Sequence, residues 1–342
     1  MISHPTVIIV GAGASFDLKF PLGSDLQKSV AQTLSEDDTQ FFRYFRAATI
    51  KLLDQDQNRG IATLMRAGTY AAGLRHAASV DNFLDQVRSD VDFVNVCKMA
   101  IGYEIAKAEQ GSAIAGNRQD SKLIDVAASR GYFLLDLLNF VVRGHQEDNV
   151  SESLSRLTFV VFNYDRCLER VLLSWLYMRF PSSAEELYKL VKIIHVYGSL
   201  GAYGESRGSE FFDRDPSTGV MQNPHLTMPD FAHKIKVFTE QEDSGVASEI
   251  GQAMHFARAV MFLGFGFEEQ NMRFFRSPDS YEKRIFCTTV GKGKQNELAI
   301  EESLREMMKV EGEVAMVDGK AKALFSTYYH PIGRAVGSLP IN

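Results

Sequence analysis

The stretch TVIIVGAGASFDLKFPLGSDL (6–26) decides the fold. Its first five residues form a β-branched run, the pattern of a strand buried on both faces of a parallel sheet. The run stops at Gly11-Ala12-Gly13, and Ser24 reads as the N-cap of a helix through about Leu34. A strand that enters a helix through glycines brings backbone amides and the positive end of the helix dipole to one point, where a pyrophosphate is stabilised. Glycine suits that point because a side chain would hold the phosphate away from the backbone. The dehydrogenase fingerprint wants a third glycine where this chain has Phe16, and an acidic residue after a second strand where this chain is helical. The stretch points to a nucleotide, held otherwise than in a dehydrogenase.

From Glu36 to Arg143 the texture is helical: FFRYFRAATIKLL (41–53), then a long pattern over 80–110, then SKLIDVAASRGYFLLDLLNFVV (121–142), with a polar break at 111–119. No strand pattern interrupts it. Residues 36–143 therefore read as an α-helical insertion, and 1–35 together with 144–342 as the domain that it interrupts. Strand texture returns in LTFVVF (157–162), KIIHVYG (192–198), AVMFLGFGF (259–267) and RIFCTTV (284–290). Helical segments are expected over about 165–180, 244–257, 269–275 and 295–309, and again after Gly319. IKVFTE (235–240) follows a Gly/Ser/Pro-rich loop over 201–227. This alternation predicts an α/β fold: a Rossmann-like, doubly wound parallel sheet with a large α-helical insertion.

Composition narrows the class. With 342 residues, 45% hydrophobic and 23% charged, the chain can bury a sizeable core. A net charge of -6 argues against a chain-wide nucleic-acid footprint. Cys97, Cys167 and Cys287 stand far apart, so neither a disulfide framework nor a tetracysteine zinc site can be built. The opening MISHPTVIIVGAG lacks the basic segment of a signal peptide, and no stretch approaches the ~20 apolar residues of a membrane span. The expected protein is cytoplasmic, with reduced thiols, no metal and no membrane.

Three further motifs fall at strand ends, where open α/β sheets bind ligands. VVFNYDRCLER (160–170) places Asn163 and Asp165 there; either could instead cap the following helix. KIIHVYGSLG (192–201) puts His195 and Tyr197 on one face of a strand, before a turn at Gly198 and the hydroxyl of Ser199. An imidazole that titrates near neutrality suits a general base. MFLGFGFEEQN (261–271) ends a strand in Gly264 and Gly266, which permit close approach of a nucleotide or relieve crowding between sheet and helix.

In this order the four motifs resemble the sirtuin superfamily, and within it the bacterial sirtuin-like NAD-hydrolase branch. The resemblance is carried by Gly11-Ala12-Gly13-Ala14-Ser15, Phe20-Pro21-Leu22-Gly23, Phe162-Asn163-Tyr164-Asp165, His195-Val196-Tyr197-Gly198 and Gly264-Phe265-Gly266, with Ser79-Val80-Asp81-Asn82-Phe83-Leu84 opening a helix. It implies that Gly11, Ala12, Gly13 and Ser15 hold the pyrophosphate and adjacent ribose, near Phe20 and Pro21. It implies that Asn163 positions the attacking water or the nicotinamide ribose, and that Asp165 sits near the carboxamide or caps the helix. Gly264 and Gly266 would face the adenosine half.

Two departures follow. Phe162 stands where the deacetylases carry glutamine, and the cysteines of their zinc ribbon are absent. Counted back from Gly198, the family's histidine falls on Tyr197; His195 lies two residues upstream, about 6–7 Å along a strand. Either His195 reaches the site or the Tyr197 hydroxyl serves instead. The activity implied is NAD hydrolysis to nicotinamide and ADP-ribose without a metal. The alternatives are a sensor that binds NAD or ADP-ribose without turnover, or an NAD-dependent protein deacylase. The resemblance further implies an oligomeric antiviral-defence effector that depletes NAD. Its sensor is expected on a separate partner such as a DNA-translocating ATPase or an argonaute, since no further stretch is long enough for a sensor domain.

Overall fold

The computed structural model describes residues 2–35, 40–112, 114, 124, 131–142, 148–201, 228–241, 245–276 and 283–339. All of the loop over 201–227 except Gly201, and most of the segments 111–119 and 121–130, lie outside the described residues. The first strand, β1 (Thr6–Val10), is buried at every position. A one-turn helix α1 (Ala12–Ser15) and a 3-10 turn (Phe16–Leu18) follow it, then α2 (Gly23–Ser35). Helix α2 therefore begins one residue before Ser24, which lies in its first turn. Next come α3 (Gln40–Leu52), α4 (Gln57–Leu74), α5 (Val80–Gln86), α6 (Val91–Gly111), α7 (Phe133–Val142) and α8 (Asp148–Ser155). The chain continues with β2 (Leu157–Val161), α9 (Cys167–Arg179), α10 (Ala184–Lys189), β3 (Lys192–His195), α11 (Met228–Lys234), α12 (Phe238–Gln241) and α13 (Val246–Phe256). It ends with β4 (Ala259–Leu263), α14 (Glu269–Met272), β5 (Arg284–Thr288), α15 (Lys294–Met308), β6 (Val314–Val317), α16 (Ala321–Thr327) and α17 (Tyr329–Ala335).

The six strands form one all-parallel sheet in the order β3-β2-β1-β4-β5-β6, a Rossmann-like doubly wound arrangement. Val10, the last residue of β1, lies level with Val161 on one side and Leu263 on the other. Each fully buried Val or Ile of this strand contributes on the order of 1.5–3 kcal/mol. Strand order reverses at β1, because the chain leaves β3 at one edge and returns to pair β4 on the other side. The C-terminal ends of β1, β2 and β4 thus open onto a crevice at the topological switch point, where such sheets bind ligands.

The helical insertion divides between two places. Helices α3 to α6 pack on one another and on α2, and α11, which comes from beyond β3, lies across α6. The crossing is close: a Cβ on Gly102 would stand 2.4 Å from the Phe231 Cβ. Helix α7, read from sequence as part of the same insertion, packs instead with α8, α9 and α16. IKVFTE forms no sheet strand: Ile235 makes one antiparallel bridge to Gly198, and Phe238–Gln241 is helical. Among the described residues no helix is long and apolar enough to cross a membrane.

Candidate active site

A cavity of about 680 Å³ occupies the crevice, within the range usual for small-molecule and cofactor sites. Its floor is the set of strand ends; its far wall is the helical layer, through α5 and α6. Of the residues singled out in the sequence, Gly11, Ala12, Gly13, Phe20, Pro21, Asn163, Asp165, Tyr197, Gly264 and Gly266 line it. Ser15, His195, Gly198 and Ser199 do not.

Asn163 lies two residues past the end of β2 and is 6% exposed. Its Nδ2 donates to the Gly11 carbonyl and to the Ser15 Oγ, both at 3.1 Å. Ser15 thus lies behind the cavity wall and holds the asparagine that faces it. An asparagine at a strand edge reads as replaceable without harm to the fold; this one is buried and doubly bonded, so its removal has a structural cost. Asp165, one residue ahead of the Arg166 N-cap, accepts from the Cys167 amide that opens α9 at 3.0 Å. Burial raises its carboxyl above the ordinary range, while the Cys167 and Ser15 hydrogen bonds oppose that shift.

The glycines have a reason other than phosphate approach. The Gly11 amide donates to the Leu263 carbonyl and the Gly13 amide to the Gly264 carbonyl, both at 3.0 Å. A Cβ on Gly11 would stand 2.5 Å from the Gly264 oxygen. Gly264 has φ +59, and a Cβ there would fall 2.0 Å from the Ala14 nitrogen. The turns after β1 and β4 are therefore in backbone-to-backbone contact, which no side chain permits. Gly266 is different: only the Glu268 side chain comes near, at 3.7 Å.

The deep end carries polar groups that sequence reasoning did not assign. The Tyr164 hydroxyl donates to Asp81 Oδ1 at 2.8 Å. Asp81 stands in the first turn of α5, whose N-cap Ser79 accepts from the Asn82 amide. Burial pushes the Asp81 carboxyl up to about 6, against the Tyr164 hydrogen bond, which acts to lower it. The Tyr197 hydroxyl donates to Asn271 Oδ1 at 2.5 Å. Phe162 packs edge-on against Tyr197 and Phe265, with ring centroids 5.9 and 4.9 Å apart, and forms an apolar wall. The signal for Asp81 was present in SVDNFL as a helix start, but nothing in the sequence brings it to Tyr164.

The mouth is amphipathic. Phe16 is 46% exposed and Val290 60% exposed. Lys320 pairs with Asp17 and lies 4.9 Å from the centroid of the Phe16 ring. Lys292 Nζ donates to the Gly266 carbonyl at 3.2 Å.

His195 ends β3 and turns away from the cavity. Its Nε2 lies 2.5 Å from Glu169 Oε1 and its Nδ1 3.3 Å from the Asn163 carbonyl. Between His195 and Tyr197, the geometry puts the tyrosine in the cavity and the histidine beneath its floor. Gly198, at φ +72, bridges Ile235, and the Ser199 Oγ accepts from the Gly201 amide at 3.4 Å.

All three cysteines are free and buried. Among the described residues no group of three or more His, Cys, Asp or Glu is placed to hold a metal ion. EDTA is expected to leave the melting temperature unchanged, as read by calorimetry; a fall on chelation would reveal a bound cation. Set against protein-family models and against curated proteins, the chain finds no match.

Proposed function

We propose that the chain binds NAD across this crevice and hydrolyses its nicotinamide–ribose bond. The observation that carries the reading is the cavity's deep end. There a clamped asparagine at the switch point shares one apolar-walled pocket with a carboxyl held near neutrality. The order of motifs, similar to that of sirtuin-like NAD hydrolases, supplies the substrate class.

In the proposed reaction the ribose C1′–nitrogen bond breaks and its electron pair leaves with nicotinamide. A water oxygen bonds to C1′ of the oxocarbenium-like ribose, and the proton of that water passes to Asp81, giving ADP-ribose. Asn163 holds the water or the ribose in reacting geometry. Tyr164 orients Asp81, and Phe162 and Tyr197 keep bulk water from the cation. The mouth, with Phe16, Val290 and Lys292, takes the adenosine half. No step requires a metal.

A second reading, binding of NAD or ADP-ribose without turnover, draws support from Asn163 Nδ2 and the Tyr197 hydroxyl being already bonded within the protein. Deacylation of protein substrates is disfavoured by Phe162 and by the missing zinc cysteines. Incubation with NAD alone separates the three. ADP-ribose released without peptide supports hydrolysis; tight binding without turnover supports the sensor, and strict dependence on an acylated peptide the deacylase. The resemblance extends the proposal to a cytoplasmic, oligomeric defence effector that depletes NAD once a partner such as a DNA-translocating ATPase or an argonaute triggers it.

Asp81 sets the pH dependence. A base is needed ionised, so turnover is expected to rise with pH through about 6. Stability runs the other way. The folded value lies above the ordinary ~3.9, so the favourable contribution is complete below that value and is lost as pH rises through the folded one. Asp81→Asn is therefore expected to abolish turnover yet melt above wild type at pH 7.5, with the gap closing at pH 4. A variant that melts below wild type at both pH values would remove the charge argument.

A further inference from the structure

His195 and Glu169 form a buried pair that the proposed chemistry does not use. The His195 ring is held between two groups that only accept hydrogen bonds, a peptide carbonyl on one side and a carboxylate on the other. A neutral imidazole carries one N–H and cannot donate to both. Glu169 stands on α9 with side-chain exposure of 10%, and among the described residues its second oxygen has no hydrogen-bond partner. An isolated carboxylate in such a place is strongly disfavoured unless it is paired. Both requirements are met at once if the ring carries two protons and the carboxylate none. A neutral ring beside a protonated Glu169 would fill the same contacts, but, against the effect of burial, His195 holds the Glu169 carboxyl below its ordinary value and so favours the charged pair.

We infer that His195 is a positioning residue: as an imidazolium backed by Glu169, it fixes the backbone carbonyl of Asn163 and so aims the Asn163 side chain at the cavity. Asn163 is then gripped from both ends, its carbonyl by His195 and its amide nitrogen by Gly11 and Ser15. Burial by itself disfavours the charged ring, but Glu169 outweighs it, and the ring is held above the ordinary histidine range. Burial likewise opposes the Glu169 charge, yet His195 draws that carboxyl below its ordinary value. Asp165 adds to the field that favours the cation. Arg166 reinforces the ionised Glu169 from the start of α9, though its own guanidinium is bonded to Glu109. Tyr188 of α10 and Tyr132 ahead of α7 also feel Glu169, and burial keeps both neutral.

The pair has a signed pH signature. A histidine value raised by folding contributes stability that is present at low pH and is lost as pH rises through the folded value. The catalytic part of the inference rests on the hydrolase reading; the protonation part does not.

The test is nitrogen-15 NMR of histidine-labelled protein, with the His195 signal assigned by its loss in His195→Gln. The expected wild-type result is a ring that titrates above the ordinary histidine value and is still protonated on both nitrogens at pH 7, where an ordinary histidine is mostly neutral. In Glu169→Gln the ring is expected to titrate below the ordinary histidine value. At pH 7 kcat for NAD should then fall about tenfold or more, with KM within about twofold. The loss of kcat with pH in wild type should coincide with the NMR titration. A His195 ring that is neutral at pH 7 in wild type would overturn the inference, as would a Glu169→Gln enzyme with unchanged kcat from pH 6 to 9. Should Glu169→Gln fail to fold, the wild-type titration decides. Should wild type prove inert toward NAD, the hydrolase reading fails alone, and the same titration still tests the pair.

Discussion

Replacing Asn163 with alanine is expected to lower NAD turnover by roughly 10²–10³-fold, the scale seen when one preorganised polar group is removed from a reacting centre. The same change removes a buried donor to the Gly11 carbonyl and to the Ser15 hydroxyl. The Gly11 carbonyl keeps the Ala14 amide at 2.9 Å, so the cost is that of two lost hydrogen bonds, about 0.5–1.5 kcal/mol each, and the variant should also melt lower than wild type. The two effects can be told apart by assaying well below the variant's melting temperature and by measuring its affinity for ADP-ribose. A folded Asn163→Ala protein that hydrolyses NAD at the wild-type rate would remove Asn163 from the mechanism.

The largest effect on stability is expected at Gly264. Alanine there must adopt a left-handed backbone conformation and place its methyl 2.0 Å from the Ala14 nitrogen and 2.3 Å from the Gly13 carbonyl carbon. Strain of that conformation and overpacking each cost about 1–3 kcal/mol, and here the obstacle is backbone, which yields less readily than a side chain. Gly264→Ala should therefore lose about 3 kcal/mol or more, or fail to accumulate as folded protein. Gly266→Ala, two residues away with only the Glu268 side chain at 3.7 Å, is the internal control and should melt near wild type. Chemical denaturation of both variants checks the contrast; equal, small losses would mean that the two turns are not pressed together.

The contrast shows how much of the site could be read from the chain. TVIIV, LTFVV, AVMFL and RIFCT are short apolar runs bounded by glycine or polar turns, and each is a strand of the parallel sheet. VAMV (314–317) escaped notice because it is an edge strand of four residues, three of them half-buried, and lacks a clear period. IKVFTE has strand composition, but its isoleucine meets only a single glycine across the Gly198 turn. That GAG and GFG mattered was legible; that they mattered to each other was not, since some 250 residues separate the two turns in sequence. The same holds for Asp81 and Tyr164, which are 83 positions apart, and for His195 and Glu169, which are 26 apart. A histidine at a strand end carries no sequence mark of whether it faces the crevice or the helix beneath.

The position of β1 has a consequence for biogenesis. It is an interior strand of the sheet, yet its two partners begin at Leu157 and Ala259, the first of them some 150 residues later in the chain. At a synthesis rate of about 5–20 residues per second, roughly 8–30 seconds pass before the first partner leaves the ribosome, and longer before the second. During that interval TVIIV has no neighbouring strand and presents an apolar, hydrogen-bonding edge to solvent. Helices α3 to α6, which are made in the meantime, can consolidate locally, whereas the sheet must wait for its non-local pairings. Raising chaperone capacity during synthesis should accordingly increase the soluble yield of this chain more than lowering the temperature after synthesis is complete.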